Sequence, residues 1–149
     1  MPLKVELKPG EKIILGESVV TNGDQRSTLL IDGDAPILRE KDIYTAETAD
    51  TPAKRIYLTV QLMYLNGSIK EQQDLYFTLT RQILEAAPSM HPLIDSINNQ
   101  ILTGNLYKAL RQAKSLIVYE KRLINDAKSS SSGTGISESG PERRRASGT

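Results

Sequence analysis

The sequence predicts an α+β fold: a small antiparallel five-stranded β module over residues 1–50, a four-helix α-helical module over 51–128, and a disordered Ser/Gly/Arg tail over 129–149. Three observations carry that division. Apolar residues alternate with a period of two in the first segment and recur every three to four residues from about Thr51 onward. Formal charge divides at the same place: residues 1–50 hold six Lys/Arg against ten Asp/Glu, a net of −4, and residues 51–128 hold ten against six, a net of +4. From Ser129 the chain reads "SSSSGTGISESGPERRRASGT", in which almost nothing could be buried.

Each strand has its own signal. "LKVELK" puts Leu3, Val5 and Leu7 on one face and Lys4, Glu6 and Lys8 on the other, and Pro9-Gly10 ends it. "KIILG" and "SVVT" are short β-branched runs. Asn22-Gly23 reads as a turn because both residues tolerate positive φ. "STLLI" is a fourth strand, Asp32 to Pro36 a turn, and "ILRE" a short fifth. About fifty residues are too few to close a core, so this sheet needs a partner surface.

Four helices follow. Thr51 is an N-cap with Pro52 at the first helical position. The first helix aligns Ile56, Val60, Met63 and Tyr64 and stops at Asn66-Gly67. The second, 69–87, aligns Leu75, Tyr76, Leu79 and Ile83 and is closed by Pro88. The third, 93–102, uses Ile94, Ile97 and Ile101, with Gly104 as its cap. The fourth, 106–128, carries the stripe Leu106, Leu110, Ala113, Ile117 and Ile124. Short loops between them suit a bundle or a pair of helical hairpins.

Composition narrows the chemistry. Without cysteine there are no disulfides, thiolate metal sites or cysteine nucleophile. The first residues lack a signal-peptide apolar region, and no run reaches the roughly 18 apolar residues of a membrane span, so a cytoplasmic protein without membrane contact is expected. The sequence has no GxGxxG, no P-loop and no GxSxG. His91, just before Pro92, reads as a helix-start or surface residue. Asp32 and Asp34 flank a glycine but lack the further oxygen ligands of a calcium loop. The expectation is a non-enzyme without a cofactor.

The basic residues remain. On the fourth helix Lys108, Arg111, Lys114, Lys121, Arg122 and Lys128 oppose only Glu120 and Asp126. Lys108, Arg111 and Arg122 fall opposite the expected apolar stripe, and Lys114 flanks it. Such a face is either simply solvated or a surface that tracks phosphates. Arg39, in "ILREKDIY", either pairs with an adjacent acid, Glu40 or Asp42, or aims its planar fork at an RNA phosphate or base edge. Tyr57, Met63, Tyr64 and Tyr76 are candidates for core packing first and exposed partner anchors second.

The motifs "LKPGEKIILG", "IDGDAPILREKDI" and "ETADTPAKRIYL" resemble the FlbT family of flagellum biosynthesis repressors, and the likeness runs from about residue 1 to 127. That resemblance implies a post-transcriptional repressor that associates with the 5′ untranslated leader of flagellin mRNA and lowers its translation or lifetime. The alternative is a regulator that grips another flagellar regulatory protein or flagellin, with indirect RNA association. The first segment also resembles the CsrA-type RNA-binding regulators, through Gly10-Glu11, Leu15-Gly16, the turn Asp34-Ala35-Pro36 and the exit "REKDIY". This second likeness implies a homodimer through interleaved β modules and RNA contact at Arg39. The sequence departs from that pattern in a shorter Pro36–Arg39 connection, in a single cation at Leu7-Lys8, and in its net acidity. A contact at Arg39 would therefore need Lys8 and Lys41, or Lys108, Arg111 and Lys114 on the fourth helix, or a partner protein.

Overall fold

In the computed structural model, which describes residues 2–134, the alternating "LKVEL" forms β1 (Leu3–Leu7). It is followed by β2 (Lys12–Leu15), β3 (Ser18–Thr21), β4 (Ser27–Ile31) and β5 (Ile37–Arg39). All five find antiparallel partners within the one chain. β1 pairs with β4, Leu3 opposite Ile31, and β2 lies at the centre of a second sheet ordered β3-β2-β5. In that sheet Ile13 stands opposite Arg39 and Ile14 opposite Leu38.

Those two registers give β2 two apolar faces. Ile13 packs with Val5 and Leu7 in a small core between the two sheets, flanked by Val20, Leu29, Ile31 and Ile37. Leu38, with Ile14 beside it, faces the helices and joins the same buried cluster as Ile56, Tyr57 and Leu116. The helices are thus the partner surface that fifty residues of sheet required. Residue 50 marks a change of secondary structure and not a gap in packing. The connection across it is pinned. The Tyr57 hydroxyl donates to the Asp42 carbonyl at 2.6 Å, and the Gln61 amide exchanges hydrogen bonds with the Tyr44 backbone at 2.9 and 3.0 Å. The Tyr64 hydroxyl accepts from the Ile37 N–H at 2.9 Å.

Asn22-Gly23 is not the turn expected: Asn22 N–H donates to Glu11 O at 2.8 Å and Gly10 N–H to Gly23 O at 2.9 Å, and the chain bends at Asp24 and Gln25. Gly23 is not among the positive-φ glycines. Instead the Asn22 amide donates to the carbonyls of Lys8 and Gln25, each at 2.8 Å, and its oxygen accepts from Gly23 N–H and the Ser27 hydroxyl. This connection carries the chain from one sheet to the other and ties it to the β1–β2 corner.

Helix α1 (Pro52–Asn66) has the expected ends. Thr51 Oγ1 accepts from Lys54 N–H at 3.2 Å, a cap worth about 1 kcal/mol, and Gly67 adopts φ 69° so that its N–H can reach Met63 O. Helix α2 (Gln73–Ala86) begins four residues later than the spacing suggests, because 69–72 close a turn from Gln72 N–H to Ile69 O. It buries Tyr76, Thr80 and Ile83 and leaves Leu75 exposed. A 3-10 turn (Pro88–Met90) leads into α3 (His91–Leu102), which buries Ile94, Ile97 and Ile101 as expected.

Helix α4 (Leu106–Thr134) departs most from expectation. Its buried stripe is Ala109, Leu110, Ala113, Leu116 and Glu120, while Ile117 is half-buried and Ile124 exposed. The inward face is turned about 40° from the apolar pattern, and a carboxylate takes one of the inward positions. Glu120 Oε2 accepts the Ala53 N–H at 2.9 Å, one of the donors that the first turn of α1 leaves unpaired. α4 continues past Lys128. Of the expected disordered tail, residues 135–149 lie outside the described residues.

Of the four candidate anchors, Tyr57, Met63 and Tyr76 are core and Tyr64 is half-buried. Burial raises the phenol pKa of Tyr57, Tyr76 and Tyr64 above the usual tyrosine value. The folded state therefore holds these protons more tightly than the unfolded chain. This stability is fully present below about pH 10 and is lost as pH rises through the raised values. Denaturation midpoints should fall above pH 10, less steeply in Tyr57→Phe. A midpoint constant up to pH 11 would contradict this.

Candidate nucleic-acid interface

At 100° per residue, α4 sets Tyr107, Arg111, Lys114 and Val118 along one line, with Lys121 and Arg122 one turn further on, all within about 60° of it. The buried stripe lies opposite, so all six are exposed. Of the acids on this helix, Glu120 faces inward and Asp126 lies well off the line. Opposite this line, a 3-10 turn (Glu40–Asp42) after β5 presents Lys41 and Asp42. Between turn and helix lies an open cavity of about 400 Å³, floored by Leu38, Tyr57 and Leu110 and rimmed by Lys41, Arg111 and Lys114. The Lys114 ammonium contacts the Asp42 carboxylate. Three cations against one acid leave the rim at +2. Tyr107 is 48% exposed at the same rim, and its ring centroid lies 5.5 Å from that of Tyr64 at an interplanar angle of 50°.

Arg39 is elsewhere. Sharing the Ile13 face, it reaches over the small β core, and its Nη2 donates to the Glu6 carbonyl at 2.7 Å and meets Glu11 Oε2 at 3.4 Å. Its Nε is buried without a hydrogen-bond partner, although 37% of the side chain is exposed. Glu11's other oxygen accepts the Lys8 N–H at 2.8 Å. That bond first, and the Arg39 guanidinium second, hold the Glu11 carboxyl below its usual range. Neither flanking acid is the partner of Arg39. Glu40 accepts from Lys12 N–H at 2.8 Å, and Asp42 is taken by Lys114.

The structure therefore brings Lys41, Arg111 and Lys114 to one cavity and sets Arg39 and Lys8 together at the β1–β2 corner. Lys108 is exposed on α4, about 100° from Tyr107 and outside the cavity lining. Tyr107 of the rim escaped the sequence reading, and Asp42 was read only as a possible partner of Arg39. The signal for Tyr107 was its spacing, four residues before Arg111 and seven before Lys114.

A second surface is apolar. A groove of about 170 Å³ between α2 and α3 is lined by Met63, Tyr76, Phe77, Ile101 and Leu102, and Leu102 is 80% exposed. His91 pairs with Asp95 at 3.0 Å on the exposed start of α3. Among the described residues, no group of three or more His, Cys, Asp or Glu is placed to hold a metal, and no helix is long and apolar enough to cross a membrane.

Residues 3–124, which include the whole cavity, match the family described as "Flagellar protein FlbT". The chain is 59% identical over 125 residues to the probable flagellum biosynthesis repressor protein FlbT of Rhodopseudomonas palustris (strain TIE-1), covering 84% of this chain and 99% of that relative. It is 37% identical over 139 residues to the flagellum biosynthesis repressor protein FlbT of Caulobacter vibrioides (strain ATCC 19089 / CIP 103742 / CB 15), covering 91% and 98%. No solved structure matches it.

Proposed function

The chain belongs to the FlbT family, and from that premise we propose that it is a cytoplasmic repressor of flagellum biosynthesis that binds the 5′ untranslated leader of flagellin mRNA and lowers its translation or lifetime. One observation carries the RNA contact: Lys41, Arg111 and Lys114 converge on one open cavity, and the row of exposed cations continues along α4 with Lys121 and Arg122. An RNA strand carries a regular row of negative charges, and a row of exposed cations on a rigid helix tracks it by releasing condensed counterions. The net −4 of residues 1–50 makes the β module the wrong electrostatic surface for this, and the net +4 of residues 51–128 makes α4 the right one.

A salt series of leader-RNA binding by the purified protein tests this. Three to four phosphate contacts give a slope of log K on log salt of about −2 to −3, at roughly 0.7 per contact on a single strand. A slope near zero, or no binding, would sink the proposal. Asp42→Asn is expected to tighten binding by about two- to fivefold. It frees Lys114 and removes the one acid at the rim, and exposed pairs are worth up to about 1 kcal/mol. Unchanged or weaker leader binding by this variant would contradict that role for Asp42.

A specific observation favours a second reading, in which the chain grips another flagellar regulatory protein or flagellin. The α2–α3 groove with exposed Phe77 and Leu102 is an apolar surface of the kind partner proteins cover. Purified protein that ignores the leader but forms a stoichiometric complex with a flagellar protein would favour it.

A further inference from the structure

We propose that the cavity between α4 and the Glu40–Asp42 turn takes one unpaired nucleotide, its base against the Tyr107 ring and its phosphates on Arg111 and Lys41, so that the ligand is single-stranded RNA and not a duplex. This rests on the reading of the protein as an RNA binder and adds which form of RNA it selects.

Three features of the rim point to a base and not to charge alone. The chain has only six Tyr and one Phe, and Tyr107 is the one that stands half-exposed between cations at the cavity. The ring is also held from behind. It rests against Tyr64, whose hydroxyl is hydrogen-bonded to both the N–H and the carbonyl of Ile37 on β5. A stacking platform fixed in this way has little freedom left to lose on binding. Finally, the space suits a small planar group. At about 400 Å³ the cavity sits near the lower end of the roughly 300–1,000 Å³ of small-ligand sites, and its floor of Leu38, Tyr57 and Leu110 is largely apolar.

Duplex RNA cannot use these features. Its base faces are stacked inside the helix, and only phosphates, 2′-hydroxyls and base edges reach outward. The α4 cations serve either form, but a ring that offers its face for stacking has no free base face to meet along a paired helix. Base–aromatic stacking tolerates any sequence, so Tyr107 selects strandedness and leaves base identity open. A phosphate seated on Arg111 and Lys41 also shares the cavity lining with the Asp42 carboxylate, whose like charge opposes it, which fits the tighter binding expected of Asp42→Asn.

The test uses the full chain and two labelled probes read by anisotropy. One is a single-stranded RNA of about twelve nucleotides, within the usual site size, and the other is the same strand annealed to its complement. The wild type is expected to favour the single strand by about tenfold or more. Tyr107→Leu should lose about five- to a hundredfold on the single strand and far less on the duplex, while Tyr107→Phe, which keeps the ring, restores the preference. Melting curves of the variants show whether any loss reflects unfolding. Equal binding of both probes, or single-strand binding by folded Tyr107→Leu equal to wild type, overturns the inference. If Arg111→Gln still weakens both probes in that case, the RNA reading stands without it. Failure to bind either probe overturns both.

Discussion

Replacing Arg111 and Lys114 together by glutamine is expected to lower affinity for the leader RNA by about fifteenfold at roughly 0.15 M salt and to flatten its salt dependence by about 1.4 in slope. Each phosphate contact on a single strand contributes roughly 0.7 to that slope, which at 0.15 M is worth about a factor of four. Both side chains are exposed on α4, so the fold should hold. Lys114 gives up its pair with Asp42, and pairs with one exposed member are worth about 1 kcal/mol at most. Lys108→Gln is the internal control, since it removes the same charge from the same helix about 100° away from the cavity line. If Lys108→Gln cost as much as Arg111→Gln, the net charge of the helix and not the cavity would govern binding. Salt-dependent anisotropy with wild type and the variants decides between them.

The parts of the fold set by near neighbours were legible in the sequence. Thr51-Pro52 and Gly67 bound α1 as their chemistry requires, and the two-residue period of "LKVEL" gives a strand with Val5 and Leu7 inward. The parts set by distant partners were not. The inward face of α4 includes Glu120, which meets Ala53 sixty-seven residues earlier, and no apolar pattern encodes an inward carboxylate. The cations of α4 could be read as a row, but their meeting with Lys41 could not. The turn that carries Lys41 is aimed by the Tyr57 hydroxyl on the Asp42 carbonyl, an arrangement visible only once α1 lies under β5. Arg39 shows the same limit from the other side. Its neighbours in sequence offered Glu40 and Asp42, whereas folding supplied Glu11, twenty-eight residues away.

Arg39→Ala is therefore expected to act on stability and not on RNA. The guanidinium joins β5 to the end of β1 through the Glu6 carbonyl and to the β1–β2 corner through Glu11. Removing a charge-assisted bond of this kind costs about 1–3 kcal/mol, and the partial exposure of the side chain places the loss toward the lower figure. Affinity of the folded variant for the leader should match wild type, because Arg39 does not line the cavity. The acid limb of the stability profile separates the two members of the pair. Glu11's carboxyl lies below its usual 4.5, so its contribution is present above that value and is lost as pH falls through the lowered folded value. The Lys8 N–H is the main cause of that lowering, so the limb should persist in Arg39→Ala. Glu11's share of it should vanish in Glu11→Gln, whose amide oxygen can still accept the Lys8 N–H but carries no charge to titrate, while the share of Asp50, held low by Lys54, remains. Urea midpoints of the three proteins between about pH 3 and 7 measure both effects. An Arg39→Ala protein as stable as wild type but deficient in leader binding would return this guanidinium to the RNA surface.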